Sequence, residues 1–160
     1  MKHYNLELMP IGVIHSPYKD GEQTPFQGCG QEEICRVEVF TDFEEGLKDI
    51  EGFSHIILIY WFHKSRGYHL VVKTPWDIKS HGLFTTRSPH RPCPLGLCVV
   101  ELLAREKNIL KVKGLDAIDD TPLLDIKPYI PSIDAKKDIK VGWLENKLTS
   151  KGSREEDGNS

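Results

Sequence analysis

Residues 87 to 98 run Arg-Ser-Pro-His-Arg-Pro-Cys-Pro-Leu-Gly-Leu-Cys, placing two arginines, a histidine and two cysteines among three prolines. Each proline fixes its own φ and steers the residue before it away from helical backbone. Arg87 to Cys93 is therefore expected as a stiff, extended loop, neither helix nor central strand. Arg87 and Arg91 present planar donor forks that match carboxylates and phosphates, and a stiff loop loses little entropy in aiming them. The chemistry offered is anion recognition. The plainer use of the same arginines is pairing with acids on the protein's own surface.

A second constellation lies at 116–131, where Asp116, Asp119, Asp120, Asp125 and Lys127 alternate with Pro122, Pro128 and Pro131. Asp-Asp-Thr-Pro is a turn signal, Leu123 and Leu124 then enter a core, and Asp125 follows inside an otherwise apolar strand. A carboxylate in that setting requires a partner, since burying it alone is strongly unfavourable. It either pairs with an arginine of the basic loop or accepts hydrogen bonds from a ligand's hydroxyl or amino groups. His55, just before an apolar strand, reads as structural. His63, just after it and beside Lys64, sits where a strand end opens to solvent and is the better ligand contact.

These groups need a scaffold, and the periodicities point to strands. Cys35 to Phe40 alternates apolar and polar residues, and His55 to Phe62 is rich in strand formers. Residues 7–15, 70–73, 82–86, 97–103 and 109–115 read as further strands, the last pairing with its predecessor through a Lys107-Asn108 turn. Asp42 to Ile50 is expected as a short helix with Asp42 as N-cap. Residues 20–30 are punctuated by Gly and Pro as a loop. Many short strands with dense turn chemistry predict a mainly β domain, a barrel with short peripheral helices. No strand is followed by the glycine pattern of a dinucleotide-binding fold. Residues 1–149 are expected as one domain and 150–160 as a polar, disordered tail.

The 160 residues suffice for one well-packed core, and no apolar run reaches membrane-span length. The start, Met1 to Pro10, has no signal-peptide pattern, so a cytoplasmic location is expected. Cys29, Cys35, Cys93 and Cys98 lack the usual zinc and thioredoxin-like spacings and are expected as reduced thiols, with a Cys93 nucleophile or an odd metal site as the alternatives. No metal site is expected. The net charge of −3 is unevenly spread. From His63 to Arg91 six basic residues face only Asp77, a net +5 that leaves −8 on the remainder. Such a block is either a phosphate or RNA footprint or a solvated face opposed by acids elsewhere in the fold.

Four segments together, 11–18, 45–63, 82–103 and 115–131, resemble the TsaA-like, or TrmO, family, with the Arg-Ser-Pro…Arg-Pro…Pro-x-Gly loop and Asp125-Ile126-Lys127-Pro128-Tyr129 as the most specific signatures. The resemblance spans about residues 9 to 134. It implies a single-sheeted β-barrel that binds S-adenosylmethionine, forms a homodimer, and methylates N6 of N6-threonylcarbamoyladenosine beside the anticodon of tRNA. Carried over by position, the cofactor contacts would be Pro25, Phe26, Gln27, His63, Lys64, Arg87, Cys98, Val99, Asp125, Ile126, Lys127 and Pro128. His90 and Arg91 would be free for substrate. The urea-like N6 is a poor nucleophile when neutral, so a general base is expected, with Asp125 the first candidate and His63 the second. The chain departs from the family pattern at Cys93, where asparagine is usual, at Cys98, where serine is usual, and at Asp120, where glycine is usual. An S-adenosylmethionine-binding module without tRNA activity, acting as a sensor or on a small molecule, is the alternative.

Overall fold

A computed structural model describes residues 4–21 and 32–147. Two compact units emerge, one formed by residues up to 68 together with 88–129, the other by 69–87 together with the chain from 130 onward. The first unit is a barrel of β1 (Gly12–His15), β2 (Ile34–Val39), β3 (His55–Trp61), β6 (Leu95–Glu106), β7 (Ile109–Lys113) and β8 (Thr121–Pro128). The second carries the hairpin β4 (Val71–Thr74) and β5 (Asp77–Gly82) and a helical turn α1 (Pro131–Asp134).

The barrel closes in the order β1-β2-β7-β6-β3-β8, with β8 pairing back onto β1, so every strand has two neighbours. Closure leaves no unpaired sheet edge. Period-2 alternation builds its core: Val37 and Val39 from β2, Ile56, Leu58 and Tyr60 from β3, Cys98 and Val100 from β6, Leu110 and Val112 from β7, and Leu123 from β8 are buried. A fully buried branched side chain stabilises the fold by roughly 1.5–3 kcal/mol, which makes this cluster the source of the barrel's rigidity. His55 to Trp61 is one-sided despite its uniformly apolar sequence. Ile57 and Ile59 point outward and stay half-buried.

Two expected elements differ. Residues 42–50 form 3-10 turns, Thr41–Leu47 and Ile50–Gly52, and Phe40 rather than Asp42 occupies the N-cap, without a side-chain cap. The expected strand at 82–86 is the end of β5 followed by a 3-10 turn, Leu83–Thr85. There the Thr85 and Thr86 hydroxyls donate to the carbonyls of Gly82 and Leu83, each at 2.8 Å. Such local bonds compete with a strand ladder. β5 itself was not expected, because Asp-Ile-Lys-Ser-His-Gly has no apolar alternation. Of the first expected strand, Gly12–His15 forms β1, with Ile11 just before it donating to Leu123 O and accepting from Phe40 N–H. The β6–β7 hairpin turns at Lys107, which takes φ +56°. Among the described residues no helix is long and apolar enough to cross a membrane.

Candidate functional site

The sheet register sorts the candidate residues. β3 lies between β8 and β6, with Asp125 opposite Ile59 and Ile59 opposite Leu97. Two residues along, Lys127 faces Ile57, which faces Val99. Asp125, Lys127 and Val99 thus share the outer wall of the barrel, on an apolar strip of Ile57, Ile59 and Leu97. Asp125 and Lys127 stand two apart on the same face of β8 and pair at 2.8 Å. The second Asp125 oxygen accepts the Ile126 N–H at 2.9 Å. Lys127, not an arginine of the basic loop, is therefore the cation that neutralises Asp125.

Alternation places two other candidates inside. Ile126 packs against the core, and Cys98 is buried in it, its thiol 3.2 Å from the Gly114 carbonyl. Their side chains face away from the outer wall. A serine hydroxyl at position 98 could donate to the same carbonyl, so the cysteine is a substitution within the core. Pro128 is exposed and ends β8. Pro25, Phe26 and Gln27 lie outside the described residues.

The remaining barrel candidates gather where β3 ends and β6 begins. Phe62 N–H donates to Pro94 O at 2.8 Å. Ser65 Oγ donates to Pro89 O at 2.9 Å and stands 3.1 Å from His90 Nδ1. The segment bearing His63 and Lys64 is thereby stitched to the proline loop bearing His90 and Arg91. The Lys64 ammonium reaches Lys19 O at 3.3 Å. Arg91 is half-buried and donates to Ser88 O at 3.2 Å, which fixes the loop on itself. Arg87 is exposed and is the last residue of the second unit before the chain re-enters the barrel.

His63 is the most distinctive group here. Its Nδ1 is buried and has no side-chain partner among the described residues, while the Trp61 backbone interacts with the ring and favours its protonated form. Burial, then the neighbouring Lys64 charge, holds its pKa below the ordinary 6.5. The ring is therefore neutral near pH 7 and able to accept a proton or a hydrogen bond.

Sequence reasoning did not single out a third cluster, at the turn entering β8. His15 Nε2 lies 3.0 Å from Glu38, and Asp119 accepts the Ser16 N–H at 3.0 Å while pairing with Lys19. The Lys19 hydrogen bond holds the Asp119 carboxyl below the usual carboxylate range. His15, Asp119 and Asp120 have ligand-type atoms within 4.8 Å of one another. Asp119 is already committed to Lys19 and Ser16, however, so the trio reads as an ion-pair network. His15 and Asp119 line an open groove of about 510 Å³ with Arg36 and Lys111. Another open groove, of about 540 Å³, lies between the 3-10 turns and Arg105. Neither contains a sequence-predicted site residue.

A family model for the tRNA-methyltransferase O N-terminal domain matches residues 13–135. The chain belongs to this family. A protein of Archaeoglobus fulgidus named as a probable S-adenosyl-L-methionine-binding protein is 50% identical to it over 140 residues, which cover 88% of this chain and 38% of the relative. The rat tRNA (adenine(37)-N6)-methyltransferase is 35% identical over 164 residues, covering 98% and 38%. A crystal structure of TrmO from Pseudomonas aeruginosa superposes with a TM-score of 0.74 at 33% identity, covering 87% of this chain and 62% of that one. The chain thus spans less than two-fifths of the two curated relatives and about three-fifths of the solved TrmO chain. The expected single-sheeted barrel is the fold of this TrmO-family chain. Asp120 adopts φ +60°, the left-handed region that glycine enters without strain.

Proposed function

We propose that this TrmO-family chain binds S-adenosylmethionine and transfers its methyl group to N6 of adenosine-37 in tRNA, on the threonylcarbamoylated base. The observation that carries the proposal is His63. Its half-buried imidazole is neutral near pH 7 and stands beside a loop tied down by Ser65, so it can accept a proton or hydrogen bond from a bound group. The residues present also fit the cofactor chemically. The Ile57, Ile59, Leu97 and Val99 wall suits an adenine face, and Asp125 can accept hydrogen bonds from ribose hydroxyls. Lys64 is a cation suited to the methionine carboxylate. When bound, the cofactor supplies an electrophilic methyl on a sulfonium.

The protein's own part is positioning and proton management. Neutral His63 can take the N6 proton of the acceptor. Asp125 is the other candidate base, but its Lys127 partner and the Ile126 N–H already occupy its oxygens. His90 and Arg91, held on the proline loop, are suited to the threonyl carboxylate or to phosphate. The exposed apolar residues Trp61, Leu95 and Leu103 along β3 and β6 support assembly as a homodimer. A reaction on tRNA fits a cytoplasmic setting.

The test is mass spectrometry of tRNA nucleosides after incubation with protein and S-adenosylmethionine, alongside calorimetric titration with the cofactor. Methylated threonylcarbamoyladenosine is the expected product. Cofactor binding with no change in any tRNA nucleoside would favour the sensor or small-molecule reading, which exposed Cys93 in place of asparagine keeps in play.

A further inference from the structure

The second unit contains a hairpin that is closed on one face and open on the other. An isolated two-stranded hairpin is marginal in water, so something must hold it. Asp77 Oδ2 lies 3.0 Å from His81 Nε2 and 2.5 Å from the Lys147 ammonium. The His81 ring stacks on Trp143 at 3.9 Å with 13° between planes. The Trp143 indole N–H is shared between the carbonyl and hydroxyl of Thr85, at 3.1 and 3.0 Å. These contacts clasp the face bearing His81 and its cross-strand partner Val72.

The opposite face is uncovered within the unit. Val71 opposite Gly82, and Lys73 opposite Ser80, are all exposed. Ile78 near the tip is 98% exposed, and Leu70, Val71 and Phe84 are 60–72% exposed. The cations Lys73, Lys79 and Arg87 are exposed and form no ion pair with a described residue. The hairpin's one acid, Asp77, is only 11% exposed and is consumed by the clasp. Its carboxyl is held well below the ordinary carboxylate range, first by the Lys147 hydrogen bond.

We propose that the β4–β5 hairpin is an RNA-contacting finger, Lys73 on its open face and the exposed Lys79 and Arg87 of the same unit meeting phosphates, and Ile78 meeting an unstacked base or a sugar. The inference rests on the tRNA reading above and names the surface that reads the polynucleotide. Two features favour RNA over a protein partner. The exposed cations of the hairpin have no exposed acid among them, because its one acid, Asp77, is taken up by His81 and Lys147, so the hairpin offers one sign of charge. The clasp also preorganises the finger, which limits the ordering cost of binding a flexible polyanion.

The test compares the full chain with Lys73→Glu/Lys79→Glu and with Ile78→Ser, using bulk tRNA in fluorescence anisotropy over a range of salt and calorimetry for S-adenosylmethionine. A control, Lys48→Glu/Lys107→Glu, changes net charge equally on the barrel unit. Tenfold or greater weakening of tRNA binding is expected for the hairpin double variant, with the log-affinity against log-salt slope smaller by about 1.5–2. Ile78→Ser weakens binding several-fold with no change of slope, and cofactor affinity is unchanged in all variants. An unchanged slope, or an equal effect from the barrel control, overturns the finger. So does loss of self-association with tRNA affinity intact, which would assign the face to a second copy of the chain. If the wild-type chain binds cofactor but no tRNA at low salt, the tRNA reading itself fails, and the finger with it.

Discussion

Gly96 is the second residue of β6, just after the proline loop, and its missing side chain is a packing requirement. A Cβ built there would lie 2.3 Å from Tyr60 Cε2 and 2.7 Å from Cδ2 and Cζ. Carbon atoms in contact sit ~3.5–4.0 Å apart, so the ring would have to retreat by more than ~1 Å. It has nowhere to go. Tyr60 is 1% exposed, meets Phe62 edge-on at 5.5 Å, and donates its hydroxyl hydrogen to Asp116 at 2.5 Å. Forcing an extra methyl into such packing costs about 1–3 kcal/mol, and disturbing the Tyr60–Asp116 bond adds about 1 kcal/mol. Gly96→Ala is therefore expected to destabilise by ~2–4 kcal/mol, lowering Tm by roughly 5–15 °C for a chain of this size. The sign is informative. Gly96 is not among the residues of positive φ, and at a compatible backbone Gly→Ala ordinarily stabilises by about 0.4–1 kcal/mol. Urea unfolding of Gly96→Ala in the wild-type and Tyr60→Leu backgrounds closes the cycle. The cost should fall below ~1 kcal/mol once the ring is gone, a coupling of at least ~1.5 kcal/mol. Equal costs in the two backgrounds would refute the steric argument.

Other outcomes follow from single groups. With the folded pKa of His63 below 6.5, the unfolded chain takes up the proton first. The stability that depends on neutral His63 is complete above pH 6.5 and declines as pH falls through that value, so His63→Gln should flatten the stability slope between pH 7 and 5. If His63 is the base, His63→Ala lowers methylation by ~10²–10⁴-fold with cofactor affinity changed far less; unaltered turnover would reject the role. Asp120→Gly relieves a left-handed residue and is expected to raise stability by about 1 kcal/mol, measured by urea midpoint. Burial pushes the Cys35 thiol up to about 11, so iodoacetamide at pH 8 should label exposed Cys93 well before Cys35 in the native protein, read by peptide mapping.

Much of the barrel was legible because its strands carry a period-2 signal. Cys35, Val37 and Val39 alternate cleanly, and the Lys107 turn announces the β6–β7 hairpin. β5 left no such signal, because its stability comes from a stacked Trp143 and a Lys147 ion pair more than sixty residues away in the chain. Thr85 and Thr86 read as strand formers, yet their hydroxyls bond locally and turn the backbone into 3-10 geometry. The stiff loop from Arg87 to Cys93 was readable from proline stereochemistry alone. Its hydrogen bonds to Ser65 were not, since they depend on β3 and β6 pairing in register.

The same alternation that revealed the strands also limits the site. Candidates at 125, 126, 127 and 128 are contiguous in sequence, but a strand sends neighbours to opposite faces. Asp125 and Lys127 must share the outer wall while Ile126 turns to the core, as Val99 and Cys98 do on β6. A ligand on that wall can meet the odd-numbered side chains of both strands, and the even-numbered ones only through backbone atoms. Cys98 can then be exchanged with serine at no cost to outer-wall contacts, provided the donor to Gly114 O is kept. Asp125 has no such latitude. Its ion pair with Lys127 already spans two positions of the wall, so a ligand that hydrogen-bonds Asp125 has either to share that carboxylate with Lys127 or to displace it. The two residues therefore act as one unit, and the energetics of either can be read only from a cycle that removes both.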